Sequence, residues 1–124
     1  MGPVLMVGIG GFAGAIVRYL VGARVSAATG GNFPWGTLAI NLSGSFVIGL
    51  LFALMIERAV LPAEWRVPLM IGFIGSYTTF STFALESYRL IEDGAWLAAG
   101  GNLLGSVALG MAALIGGIAL GKPF

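Results

Sequence analysis

Charged residues divide the chain into four long apolar stretches. Asp, Glu, Lys and Arg are absent from residues 1–17, 25–56, 67–85 and 94–121. A bilayer core about 30 Å thick is crossed by roughly 20 helical residues, and backbone groups in lipid must be hydrogen bonded within the protein. We therefore predict an all-α membrane protein, a single transmembrane domain over residues 1–124, with helices near 3–23, 36–56, 67–90 and 96–120.

The composition agrees with this pattern and excludes several function classes. Hydrophobic residues make up 58% of the chain and charged residues 9%, whereas soluble domains carry about a quarter charged residues. The absence of Cys and His excludes thiolate and imidazole metal sites and His-based active sites, so we expect no enzyme. A net charge of +1 offers no basic field for nucleic acid, and no nucleotide-binding signature is present.

The basic residues are divided equally between the two ends of the predicted bundle. The end that holds both termini carries Arg58, Arg66 and Lys122, and the other carries Arg18, Arg24 and Arg89. Orientation follows the Lys/Arg bias of the loops, so an equal count predicts insertion in both directions. The chain is too short for an internal inverted repeat, which two opposed copies would supply. We predict an antiparallel homodimer; the alternative is a single orientation set by residues that this count misses.

Glycines at helical spacing indicate close helix packing. Small residues four positions apart let membrane helices approach each other. The pairs in the predicted helices are Gly10 and Gly14, Gly101 and Gly105, and Gly117 and Gly121.

The third predicted helix is unusually rich in hydroxyl groups over residues 75–83. Gly75 and the threonines that follow it would tolerate a break in the helix, where Ser and Thr can satisfy freed backbone groups. Thr78 and Thr82 are spaced to share one helical face, and Phe80 and Phe83 another. The two rings either pack in the core or present their positive edges to a small anion.

Two further polar positions lie inside predicted helices. Asn41 in the second helix either forms an interhelical hydrogen bond or donates to a permeating anion as a neutral group. Ser106 in the fourth helix, with Asn102 one turn before it, has the same two interpretations.

Two charged residues lie near the membrane interior. Arg18 in the first helix either extends to the nearby surface or attracts anions from a water-filled vestibule. Glu86 is close to the end of the third helix, a poor depth for the ionisable relay that a proton-coupled carrier needs. This placement favours a channel over an antiporter.

Three motifs in successive helices resemble the CrcB/Fluc family of fluoride channels. They are GGFAGAIVRY at residues 10–19, GTLAINLSGSF at 36–46 and GFIGSYTTFSTF at 72–83. The similarity covers nearly the whole chain and is looser in the fourth helix.

The resemblance implies a passive, selective fluoride channel that lowers cytoplasmic fluoride across the plasma membrane of a bacterium. It implies a dual-topology, antiparallel homodimer with two pores, each lined by both subunits. It further implies a structural Na⁺ on the dimer axis, held by the backbone carbonyls of Gly75 and Thr78. By the same resemblance, fluoride would meet the ring edges of Phe80 and Phe83, the amide of Asn41, a polar track from Ser106, Ser81, Thr79 or Thr82, and a vestibule near Arg18.

Two other functions fit a chain of this size. Small multidrug exporters have four helices and dual topology but rely on a glutamate in the first helix, where this chain has only Arg18 as a charged group within residues 3–23. A non-transporting assembly subunit would explain the glycines but leaves the hydroxyl-rich segment without a role.

Overall fold

The computed structural model describes residues 2–123 as a set of helices joined by short turns. The predicted domain also includes residues 1 and 124, which lie outside the described residues. Four segments are long and apolar enough to cross a membrane, so the predicted all-helical architecture with four membrane-capable helices is confirmed. The helices are α1 (Pro3–Thr29), α2 (Trp35–Glu57), α3 (residues 63–77), α4 (Phe80–Glu92) and α5 (Trp96–Gly121), and α3 with α4 makes up the third span, Ala63–Glu92.

Two helix boundaries differ from the predicted ones by more than two residues. α1 continues past residue 23 to Thr29 and ends at Gly30, whose φ of 63° is left-handed and favours glycine. The third span begins at Ala63 rather than at residue 67. Both predicted ends were set next to an arginine, on the assumption that a charge ends the helix. Arg24 and Arg66 nevertheless lie within helices, because a long basic side chain can extend its charge towards the interface.

Part of the helical backbone has wider turns than an α-helix. α2 ends in a π-helical turn, Ala53–Glu57, and α3 is π-helical over Arg66–Ile74. Pro68 lies in this second segment and has no N–H to donate. The π-helix is rare and often found at functional sites, so the long π-helical segment makes the third span a candidate for the functional site.

The backbone of the third span is extended between α3 and α4. Thr78 has φ −82° and ψ 160°, and Thr79 has φ −150° and ψ 120°. α3 packs against α1, whereas α4 packs against α5. The two halves of the span therefore lie against different neighbours.

Glycines bring two pairs of helices into backbone contact. A Cβ added to Gly14 of α1 would overlap the carbonyl oxygen of Phe73 in α3, and one added to Gly117 of α5 would overlap that of Phe46 in α2. The predicted contact of Gly101 and Gly105 is not made within the chain, because nothing lies within 4 Å of a Cβ at either position. These two glycines instead border a cavity that Trp35 and Leu38 of α2 also line.

Candidate functional site

Asn41 pairs with the extended backbone of the third span. In a continuous helix the N–H of Thr79 would bond to the carbonyl of Gly75, but it donates instead to Asn41 Oδ1 at 2.9 Å. Asn41 Nδ2 in turn donates to the carbonyl oxygen of Thr79 at 3.0 Å. One amide therefore satisfies both backbone groups of Thr79. The second N–H of Asn41 is not used in this pair.

A cavity of about 270 Å³ lies beside this pair. Its lining includes Asn41, Thr78, Thr79 and Phe80. The structure thus brings together three of the predicted fluoride-path residues, Asn41, Thr79 and Phe80, at the point where the third span is extended. The hydrogen bonds of Asn41 are interhelical, and the same side chain also borders open space.

Phe80 and Phe83 lie side by side but in different environments. Their ring centroids are 5.9 Å apart and the ring planes are inclined by 54°. Phe83 is 8% exposed and packs inside the chain, whereas Phe80 is 80% exposed. The Phe83 ring is therefore held by packing within the chain, whereas the Phe80 ring is exposed on its surface.

The two threonines that were predicted to share a face do not share a helix. The extended backbone separates Thr78 from Thr82, so that prediction was wrong. Thr78 Oγ1 donates back to the carbonyl of Ile74 at 3.0 Å. Thr79 Oγ1 accepts from the N–H of Thr82 at 3.3 Å and so caps the first turn of α4.

Ser106 belongs to a buried chain of hydrogen bonds between α4 and α5. Its hydroxyl donates to Asn102 Oδ1 at 3.2 Å, and Asn102 Nδ2 donates to Ser87 Oγ at 2.9 Å. Ser87 Oγ donates to the carbonyl of Phe83 at 2.8 Å. Ser87 and Asn102 are each 2% exposed. Because Ser106 has a single proton, it would have to release Asn102 before donating to an anion.

Sequence reasoning missed Ser87, although a pattern points to it. Ser87 lies four residues after Phe83, where a hydroxyl can bond back to the helical carbonyl. Ser106 and Asn102 border a separate cavity of about 440 Å³ between α2 and α5. Within one chain, then, Ser106 lines a different space from Asn41.

Arg18 reaches the third span rather than extending only towards the surface. Its Nε donates to the carbonyl of Ser76 at 3.2 Å, and the side chain is half-buried. A cavity of about 320 Å³ is lined by Arg18, Thr79 and Thr82. Thr79 thus borders both this cavity and the one beside Asn41. Ser76, another residue that sequence reasoning missed, also donates through Oγ to the carbonyl of Gly11 at 2.8 Å.

The remaining predicted positions lie around this centre. Gly75 and Ser81 are exposed on the two sides of the extended segment. Glu86 is half-buried, and its Oε1 has no hydrogen-bond partner among the described residues. It borders a polar cavity of about 330 Å³ with Arg89 and Asp93.

Comparison with known proteins places the chain among relatives of similar length. Residues 5–118 match the family described as "CrcB-like protein, Camphor Resistance (CrcB)". The chain is 49% identical to fluoride-specific ion channel FluC 1 of Nitrobacter hamburgensis, over 93% of this chain and 91% of that protein. It is 42% identical to fluoride-specific ion channel FluC of Solibacter usitatus (95% and 97% covered) and 44% identical to that of Geobacter sulfurreducens (88% of each).

These similarities extend across all four membrane-capable helices. They confirm the relationship that the motifs at residues 10–19, 36–46 and 72–83 predicted. The chain belongs to the CrcB-like protein family.

Proposed function

We propose that this protein is a passive, fluoride-selective channel in the bacterial plasma membrane. Its relatives carry the name fluoride-specific ion channel, and four helices are suited to crossing a membrane. The observation that carries the proposal is the meeting of Asn41, Thr79 and Phe80 at one cavity beside an extended intramembrane backbone. Fluoride that has entered the cell as HF leaves through this path without coupling to ATP or protons. The protein catalyses no reaction.

The donors at this cavity suit a small, strongly hydrated anion. A conducting site must replace the hydration shell without holding the ion so strongly that it cannot leave. Asn41 is neutral, and its pairing with Thr79 fixes the orientation of the amide, which supports its unused N–H as a donor. The edge of the Phe80 ring adds weak positive potential. Thr82, at the neighbouring cavity that Thr79 also borders, and Ser81 continue the path as hydroxyl donors. Ser106 joins it only after its hydroxyl releases Asn102.

We propose that the working unit is an antiparallel, dual-topology homodimer with two pores. The bundle carries three basic residues at each of its two ends, which supports insertion in both directions. Phe80 is 80% exposed, and Gly101 and Gly105 face open space. A second copy in the opposite orientation would cover these surfaces and complete each path with Phe83 of one subunit and Phe80 of the other.

We propose that residues around the extended segment hold a structural Na⁺ on the axis of this homodimer. Among residues 2–123 no group of three or more His, Cys, Asp or Glu side chains could hold a metal, which leaves neutral oxygens, backbone carbonyls among them, as the proposed ligands. In a continuous helix, Gly75 and Thr78 would accept from the N–H groups of Thr79 and Thr82. Those groups donate to side chains instead. The two carbonyls are thus free of their helical donors, and oxygen ligands suit a hard cation. The ion would supply positive charge that holds the two copies together.

The alternative of a small multidrug exporter has no support in the structure. Such exporters rely on a glutamate in the first helix, whereas Pro3–Thr29 contains no carboxylate. The relatives described above are named as channels. Glu86, the carboxylate nearest the interior of the third span, lies near the end of that span.

Efflux from liposomes tests the proposed function. Purified protein is reconstituted into liposomes loaded with fluoride or chloride, and efflux is followed with an ion-selective electrode after the membrane potential is clamped with a potassium ionophore. We expect rapid fluoride efflux and chloride efflux no faster than from protein-free liposomes. Absent fluoride efflux, or equal efflux of the two anions, would refute the proposal.

A further inference from the structure

The C-terminal end of α3 lies inside the third span and needs partners for its last carbonyl groups. In a continuous helix the carbonyl of Ser76 would accept from the N–H of Phe80. Here Phe80 follows the extended residues Thr78 and Thr79. A helix end without partners is costly in a low-dielectric environment.

Arg18 supplies the missing donor from a neighbouring helix. Its Nε donates to the Ser76 carbonyl at 3.2 Å. A helix C-terminus carries partial negative charge, so a guanidinium there provides both a hydrogen bond and a favourable interaction with the helix dipole. This is a C-terminal cap made by another segment of the chain.

A second contact holds the same residue from the same helix. Ser76 Oγ donates to the carbonyl of Gly11 at 2.8 Å. Gly11 and Arg18 lie about two turns apart on α1, so α1 binds both the hydroxyl and the carbonyl group of Ser76. Close backbone contact at Gly10 and Gly14 keeps α1 and α3 in fixed register.

We propose that Arg18 is a positioning residue that caps α3 and thereby holds Thr78 and Thr79 extended beside Asn41. The proposal rests on the proposed function, because its effect on transport acts through the path next to Asn41. It differs from the vestibule hypothesis, in which the charge of Arg18 acts on anions directly. The two hypotheses differ in whether fluoride transport depends more on the N–H donor of Arg18 or on its positive charge.

Two neutral substitutions separate the donor from the charge. Arg18→Gln removes the charge but keeps an N–H donor bonded to Cδ, where arginine carries Nε. Arg18→Met removes both the charge and the donor from a side chain of similar length. If Arg18 acts as a cap, fluoride efflux through the Met variant should be at least about tenfold slower than through the Gln variant, because the Met variant leaves the Ser76 carbonyl without a donor. Equal losses in the two variants would overturn the proposal. Arg24→Gln removes an exposed charge from the same helix and serves as the control.

The Ser76 carbonyl can be observed directly by solid-state NMR in bilayers. Serine labelled with ¹³C at the carbonyl and tyrosine labelled with ¹⁵N give two one-bond signals, because Ser-Tyr occurs only at residues 76–77 and 87–88. In Arg18→Met the Ser76 signal should shift, while the Ser87 signal stays in place as an internal reference. A Ser76 signal that remains at its wild-type position would also overturn the proposal.

This readout does not depend on transport. If the wild type conducts no fluoride, the proposed function fails, while the Ser76 signal still tests the cap. If Arg18→Met cannot be purified in a folded form, wild-type protein labelled at arginine Nε decides the matter. A dipolar contact between an arginine ¹⁵Nε and the Ser76 carbonyl carbon supports the cap, and its absence contradicts it.

Discussion

At the scale of single residues, Asn41 gives Thr79 the hydrogen bonds that a regular helix would provide through its backbone. The sequence left two roles open for this side chain, an interhelical bond and a donor to an anion. The structure has the first and leaves one N–H for the second. The hydrogen-bond partner of Asn41 could not be predicted, because the two residues are 38 positions apart and nothing local marks the backbone of Thr79 as that partner.

Asn41→Asp should abolish fluoride conduction. An ionised carboxylate can still accept from the N–H of Thr79 but cannot donate to its carbonyl, and it places a negative charge beside the anion path. Fluoride efflux from liposomes is the measurement. Asn32→Asp, in the exposed turn after α1, makes the same chemical change away from the cavity and should conduct as the wild type does. Normal efflux from Asn41→Asp would remove Asn41 from the path.

Phe80→Ile and Phe83→Ile should each reduce fluoride efflux, while the proposed homodimer keeps the wild-type elution volume on gel filtration. An isoleucine has no ring edge to offer an anion. The two variants should differ in stability, since Phe83 is 8% exposed and Phe80 80%. Replacing the buried ring should cost about 1 kcal/mol, measured by thermal unfolding.

Phe12→Ile is the matched control for the exposed ring, because Phe12 is 73% exposed on α1. It should leave both efflux and stability close to wild type. Unchanged efflux in both Phe80→Ile and Phe83→Ile would mean that these rings serve packing alone.

At the scale of the helices, the apolar stretches predicted all four spans but not their internal geometry. The positions of Arg24 and Arg66 misplaced two helix ends, because a charge on a long side chain does not have to end a helix. Gly75 and the threonines after it raised the possibility of a break. Which helices would hold the two halves could not be read from the pattern, since it depends on long-range contacts of α1 with α3 and of α4 with α5.

Gly14→Ala should destabilise the protein by about 1–3 kcal/mol, the usual cost of overpacking. Its Cβ would overlap the carbonyl oxygen of Phe73 and push α3 away from α1. Gly8→Ala is the control on the same helix, because nothing lies within 4 Å of a Cβ there. Thermal melting in detergent should show a lower Tm for Gly14→Ala only. Equal Tm values for the two variants would contradict the close contact.

At the scale of the whole molecule, the equal distribution of basic residues and the open surfaces of the chain suggest half of a larger assembly. Phe80 is 80% exposed, and nothing in the chain lies within 4 Å of a Cβ at Gly101 or Gly105. Composition predicted a membrane protein, and only the positions of the charges suggested opposed copies. No pattern within one sequence identifies which surfaces meet, because that depends on contacts between two chains.

Charge-biased pairs should reveal dual topology. Glu57→Arg with Glu64→Arg adds positive charge at the end that holds the termini, and Glu92→Arg with Asp93→Arg adds it at the other end. Each double variant should insert in one orientation only. Cells lacking their own fluoride exporter should remain fluoride-sensitive with either variant alone and become resistant when both are expressed together. Full resistance from each variant alone would contradict the antiparallel arrangement.

The reversal potential of the purified protein in a planar bilayer tests passive, selective fluoride conduction most directly. With a tenfold fluoride gradient and equal chloride on both sides, an ideally selective channel reverses at a potential of about 59 mV in magnitude, the value for one charge. We predict this value, with the sign that the fluoride gradient sets and no change when a pH gradient is imposed. A reversal potential near zero, or one that follows the pH gradient, would contradict the account.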